Sequence, residues 1–265
     1  MTASLHRPVA VFDAGIGSYA IVAEIHKAFP KQDILYFADR ASFPYGGKGR
    51  DELLSVMRRS IAFLSRFGPS AIVIASNAPS IMVLEELQRD PGPPLFGVHP
   101  PLEKALSRTR TGQVGILGVR SLVESPMLAG FVAERTAQPA QVATINASPM
   151  VELVESGAFL FDPAGTQQCV DAFMHEVRDR HPGIDVFTLS STHLPWLADF
   201  FLKARPDAIF LDPAVDVVAG LKPRQGGSGQ ITGLVTENER HDIASFRAML
   251  DKVGVDIPLN AVTID

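Results

Sequence analysis

Cysteine is nearly absent from this chain of 265 residues. Cys169 stands alone, which excludes an intramolecular disulfide and any metal centre built on several thiolates. Long apolar runs are missing as well. None approaches the ~20 residues that a membrane span requires, and Met1 to Arg7 hold no apolar stretch of the kind that opens a signal peptide. Positive charge is not in surplus. The net charge is −5, whereas a surface that grips nucleic-acid phosphates or anionic membranes needs a basic field. The glycines of Pro223-Arg224-Gln225-Gly226-Gly227-Ser228-Gly229 lack the GxGxxG spacing, preceding strand and following helix of a phosphate-binding fingerprint. That stretch reads as a flexible connector. The expectation is a soluble cytoplasmic protein with no nucleic-acid partner, no membrane association and no metal.

Hydrophobic residues make up 46% and charged residues 20%, the balance of a globular chain long enough for one large core or two moderate ones. Short β-like runs alternate with helix-length amphipathic segments, the pattern of a parallel α/β fold. The spacing predicts strands at Val9–Phe12, Ile34–Phe37, Ala71–Ala75, Leu95–Val98, Val114–Leu117, Val142–Ile145, Val186–Leu189 and Ile209–Leu211. It predicts helices at Tyr19–Ala28, Asp51–Phe67, Ser80–Gln88, Leu102–Thr109, Pro126–Glu134, Thr166–Asp179 and Pro195–Lys203. In the second of these, Leu53, Leu54, Met57, Ile61 and Leu64 recur at spacings of three and four and form a core-facing stripe. The tail reads as strand, helix and strand over Ile231–Val235, Arg240–Leu250 and Ile257–Val262.

Two short segments echo one another. Ala75-Ser76-Asn77-Ala78-Pro79 follows the apolar run Ala71 to Ile74, and Ser190-Ser191-Thr192-His193-Leu194-Pro195 follows Val186 to Leu189. Each reads as a buried strand that delivers a polar tip to a helix start, with proline in the first turn. Ser76 and Ser191 therefore occupy equivalent points in two halves of one design. Asp13-Ala14-Gly15-Ile16-Gly17-Ser18 ends another strand in a carboxylate followed by glycines. That is a common site element of open α/β sheets, and equally a cap for the next helix. Phe43-Pro44-Tyr45-Gly46-Gly47-Lys48 is by itself a turn. Glu155 in Val151-Glu152-Leu153-Val154-Glu155-Ser156-Gly157 is by itself a helix-end charge, and His193 a lone histidine after a strand.

Taken together and in this order, the segments resemble the cofactor-independent aspartate/glutamate racemase family, the glutamate racemases most closely. The resemblance runs essentially end to end. It implies two pseudo-symmetric α/β domains with parallel sheets and an active-site cleft between them. Residues 1–98 and 207–265 would form the first, discontinuous domain, and 99–206 the second. It implies that Ser76 and Ser191 stand where the family carries its two catalytic cysteines, which work on opposite faces of a substrate's α-carbon. Asp13, Glu155 and His193 fall at the family's supporting acid–base positions. Tyr45, Gly46, Asn77, Ala78 and Thr192 fall at its substrate-binding positions. The implied ligand is a small carboxylate or amino acid held by backbone amides near Tyr45-Gly46, Asn77-Ala78 and Thr192-His193, with no cofactor. The implied assembly is a homodimer, for which the sequence itself shows no interface. Departures from the family pattern go beyond the thiols: Ala14, Ser18, Ala78, Val119, Leu122, Ser148 and Leu194 also differ.

The loss of both thiols bears on the chemistry. An amino acid's α-carbon is a very weak acid, and a thiolate can serve as its base because a cysteine pKa of ~8.5 is readily lowered by its surroundings. A serine hydroxyl acts only when an adjacent base takes its proton. Three readings follow. One is a racemase-class isomerase with weak or altered activity, in which Asp13 and His193 carry protons. Another is an acyl-transfer hydrolase with Ser191 activated by His193 and oriented by Glu155. The third is a non-catalytic binding or regulatory protein on the same scaffold.

Overall fold

The computed structural model describes residues 5–221 and 227–264; most of the predicted glycine-rich connector lies outside them. Strand β1 (Val9–Asp13) is buried along its whole length. It pairs in parallel with β2 (Ile34–Asp39) on one side and β3 (Ala71–Ile74) on the other. Strand β4 (Leu95–Gly97) extends the sheet beyond β3. In the middle of the chain β5 (Val114–Gly118) lies between β6 (Val142–Asn146) and β7 (Val186–Ser190), and β8 (Ile209–Leu211) extends that sheet beyond β7. The first four strands of each half thus share one order, second-first-third-fourth. Two tail strands, β9 (Ile231–Thr236) and β10 (Leu259–Ala261), add to the β2 side of the first sheet, making six strands against four.

All of these pairings are parallel, so each connection must cross over, mostly through a helix, and helices cover the sheet faces. This explains why β1, β2, β3, β5 and β7 read as nearly unbroken apolar runs instead of alternating ones. The helix Arg50–Ser65 shows the matching pattern. It buries Leu53, Leu54, Met57 and Leu64 and places Asp51 and Glu52 in its first turn, where the helix dipole favours negative charge. One apolar cluster runs from Ile16 and Ile21 to Val151, Val154 and Leu194, so the two halves share core packing. Among the described residues, no helix is long and apolar enough to cross a membrane.

Two expectations need correction. The return to the first domain at residue 207 falls one strand too early. Ile209 to Leu211 pair with Val186 to Thr188 and belong to the second sheet, and the chain crosses back only afterwards, through the helix Ala214–Gly220. The helix expected at Ser80–Gln88 begins at Asn77, because Ser76 with its extended backbone already serves as the N-cap. It stops at Met82, where Val83 turns out of helical geometry at φ −138°, and resumes over Leu84–Leu87.

Candidate active site

In open parallel sheets the carboxyl ends of the strands are where ligands collect. The shared strand order puts the ends of β1 and β3 from one half opposite those of β5 and β7 from the other. Asp13 ends β1, Ser76 follows β3 and Ser191 follows β7. Asp13, Tyr45, Gly46, Ser76, Asn77, Ala78, Ser191 and His193 all line one small cavity of about 30 Å³. That volume holds one or two water molecules.

Behind this cavity lies a chain of buried charges that crosses from one half to the other. The Thr192 hydroxyl donates to Asp13 Oδ2 at 2.9 Å, and His193 Nδ1 lies 4.0 Å from the same oxygen. On the far side of the imidazole, Nε2 is 3.1 Å from Glu155 Oε2. That oxygen also accepts the Ile16 N–H at 3.1 Å, while Glu155 Oε1 is paired with the Arg40 guanidinium. Asp13, Arg40, Glu155 and His193 are each no more than 4% exposed. Buried charges are costly unless paired, and a cluster of them beside a cleft is a candidate functional site.

The glycines after Asp13 now have a physical reason. A Cβ at Gly15 would overlap the Glu155 carboxylate, and one at Gly17 would sit 2.5 Å from His193 Nδ1. Both lack side chains so that acidic and imidazole groups of the opposite half can approach the backbone.

Burial is the main influence on Asp13 and raises its pKa above the ordinary 3.8. The His193 charge, the Ala14 N–H and the Thr192 and Ser76 hydroxyls oppose it without cancelling it. For His193, burial is again the largest single influence and acts downward. The Glu155 hydrogen bond and the charges of Asp13 and Glu155 together outweigh it, so the imidazole pKa lies above 6.5. The site thus shifts both His193 and Asp13 toward their protonated forms.

Not every expected group faces the small cavity. Thr192 turns its hydroxyl to Asp13. Glu155 lines a separate cavity of about 750 Å³, together with Arg40, Glu152, Asn238, Arg240 and His241. A third space of about 340 Å³ lies over Val119, Arg120, Asn146, Ser148 and Glu152, and Phe43 with Pro44 borders all three. Tyr45 points its hydroxyl at Asp39 Oδ2, 3.2 Å away. Asn77 donates through Nδ2 to the Val98 carbonyl at 3.1 Å and keeps a buried Oδ1 without a partner among the described residues. Val119 packs directly on Gly46, 2.6 Å from where a Cβ would stand.

Arg40 escaped the sequence reading. Its signal was present: Asp39-Arg40 closes the apolar run Ile34 to Ala38 at the carboxyl end of a strand, the same position that drew attention to Asp13.

No protein-family model matches the chain. A glutamate racemase of Roseiflexus sp. (strain RS-1) is 30% identical over 264 residues, covering 97% of this chain and 94% of that protein. The crystal structure of glutamate racemase from Thermus thermophilus in complex with β-chloro-D-alanine superposes with a TM-score of 0.78 at 27% identity, covering 97% and 96% of the two chains. The Escherichia coli glutamate racemase structure shares the fold at a TM-score of 0.83 and 21% identity, over 98% of this chain and 100% of that one. With its paired parallel sheets and near-complete coverage by these relatives, the chain belongs to the aspartate/glutamate racemase family, among the glutamate racemases.

Proposed function

We propose that this protein binds a small amino acid or carboxylate between its two sheets and is a glutamate racemase-like isomerase of weak or altered activity. The observation that carries the reading is the buried series Arg40–Glu155–His193–Asp13, of which His193 and Asp13 border the cavity that also holds Ser76 and Ser191. A protein that only fills a fold has no use for proton carriers buried at such cost. In this reading Asp13, beside Ser76, accepts the α-proton from one face. The electron pair moves into the substrate carboxylate, and the protonated His193, beside Ser191, returns a proton to the other face. Side chains supply both acid and base, so the reading needs no cofactor. Carboxylates are poorer bases than thiolates toward carbon, and exchange is correspondingly slow. The Thermus thermophilus relative, captured with β-chloro-D-alanine, supports an amino-acid ligand. A cytoplasmic role in amino-acid metabolism and assembly as a homodimer belong to the same proposal.

Incubation with L-glutamate in D₂O, followed by NMR of the α-proton, tests the chemistry. The expected result is little or no exchange, and exchange at a rate typical of a working enzyme would overturn the argument from the missing thiols. Ser76→Cys combined with Ser191→Cys should remain silent toward glutamate, because Ala14, Ala78, Val119 and Leu122 also remove polar groups from the site. A thermal-shift series with L- and D-glutamate, aspartate and simple dicarboxylates tests binding. No response to any of them at millimolar concentration would sink the ligand class.

The non-catalytic reading draws support from one observation, the apolar lining of Ala14, Ala78 and Val119 around a cavity of only about 30 Å³. Retention of the proton carriers weighs against it. The acyl-transfer reading is disfavoured because, among the described residues, no hydrogen bond joins Ser191 to His193, whose Nε2 faces Glu155 instead.

A further inference from the structure

Arg40 belongs to the first half of the molecule, yet its partner belongs to the second. Its guanidinium, at the end of β2, pairs with Glu155 Oε1 and lies over the Phe246 ring with 4.7 Å between Cζ and the ring centroid. Glu155 thus has its two oxygens assigned to different tasks. Oε1 takes the arginine, whereas Oε2 takes the Ile16 N–H and faces His193 Nε2, each at 3.1 Å. The backbone at Gly15 closes the space beside the carboxylate, and Phe246 backs the guanidinium. Neighbouring Asp39 takes no part. It is occupied by the hydroxyls of Thr236 at 2.8 Å, Tyr45 at 3.2 Å and Ser60 at 3.4 Å.

We propose that Arg40 is a positioning residue, which holds Glu155 in the one orientation that presents Oε2 to His193 and so lets the first half govern the protonation of the second half's histidine. This rests on the reading that His193 is the site's proton carrier. The charged groups that bear on His193 are Asp13, Glu155 and Arg40. Around them stand Tyr36, whose hydroxyl donates to the Gly15 carbonyl at 3.0 Å, and His241, on the Phe43 ring that also faces His193. Without the guanidinium, the buried Glu155 loses the partner that holds Oε1 and keeps only the Ile16 N–H and His193, both on Oε2. It then takes up a proton or turns into the 750 Å³ cavity that it already lines. Both responses weaken its contact with Nε2. Glu155 supports the imidazolium through a hydrogen bond and through charge, and both effects exceed the direct opposition of the Arg40 charge. The net result is a histidine that gives up its proton more easily.

The test is an NMR pH titration of the histidine ring signals, with His193 assigned by the resonance that His193→Gln removes. In the unaltered protein its midpoint should lie above that of a histidine in an unstructured peptide. In Arg40→Met it should fall to or below that reference, Glu155→Gln should give the same fall, and the double variant should add nothing. Arg40→Lys retains the charge but not the planar group stacked on Phe246, so its midpoint should fall part of the way. If Arg40→Met fails to fold, Arg40→Lys decides. An unmoved midpoint in Arg40→Met or Arg40→Lys would overturn the proposal, as would a further fall in the double variant. The readout does not depend on turnover. Absence of any ligand response beside the expected titrations would sink the functional reading and leave the role of Arg40 standing.

Discussion

The two edges of the sheets treat the same side chain in opposite ways. At the carboxyl edge, Asp13 is 2% exposed and its pKa is raised, with burial the dominant influence. At the amino edge, Asp33 and Asp185, 2% and 6% exposed, immediately precede β2 and β7, and both have lowered pKa values. For each of them burial is again the largest single influence and acts upward, but several donors outweigh it. Asp33 accepts the His6, Ser228 and Gln230 N–H groups at 2.8, 2.7 and 3.1 Å. Asp185 accepts the Arg110 N–H at 2.9 Å and the hydroxyls of Thr109 and Thr111. All three are shielded from solvent, but Asp33 and Asp185 lie close to the surface whereas Asp13 lies deep, so milder desolvation and a fuller supply of donors act together at the amino edge. The amino edge uses its carboxylates to tie loops down. Asp13, at the carboxyl edge, keeps a raised affinity for protons despite its own donors.

Substitutions can break or sharpen that contrast. The largest effect should come from the amino edge. Asp33→Ala leaves three backbone N–H groups without their acceptor and should cost about 2–4 kcal/mol in denaturant unfolding, with ligand response in thermal shift unchanged. Gly17→Ala should come next, at about 1–3 kcal/mol, because the new methyl pushes against His193. Here, unlike at Asp33, the His193 ring resonances should move. Asp13→Asn should change stability by less than about 1 kcal/mol, since it removes a carboxylate held at a cost, yet it should abolish any α-proton exchange. A large loss of stability in this variant would erase the distinction between the edges.

The pH dependence is the smallest of these effects and separates the edges by sign. Asp33 and Asp185 bind protons less tightly when folded than when unfolded. Their contribution is complete above the ordinary 3.8 and is lost as pH falls through their lower folded values. His193 binds its proton more tightly when folded. Its contribution is complete below 6.5 and is lost as pH rises through its higher folded value. Urea unfolding across pH should therefore show two limbs, with His193→Gln flattening only the alkaline one and Asp33→Ala only the acid one.

The carboxyl edge was the more legible of the two from sequence. Ser76 and Ser191 echo each other because each follows the third strand of its half, and a buried parallel strand declares itself as an apolar run. Asp13 was legible for the same reason. Arg40 was not, because its meaning depends on Glu155, which lies 115 residues away and meets it only across the cleft. Strand β8 was visible as Ile209 to Leu211, but nothing in three apolar residues says which sheet they will join. The amino-edge acids went unnoticed because their donors are mostly backbone N–H groups and hydroxyls of loops, which carry no distinctive residue pattern.

The empty places at Gly15 and Gly17 have a consequence for inheritance. One half of the chain gives up side chains at two positions so that the other half can fill the space with Glu155 and His193. A hybrid gene that joined this first half to a second half lacking those two groups would inherit a hole beside Asp13. The reciprocal hybrid, with ordinary side chains at 15 and 17, would inherit a collision. The halves can be shuffled only together, and divergence at either is tethered to the other.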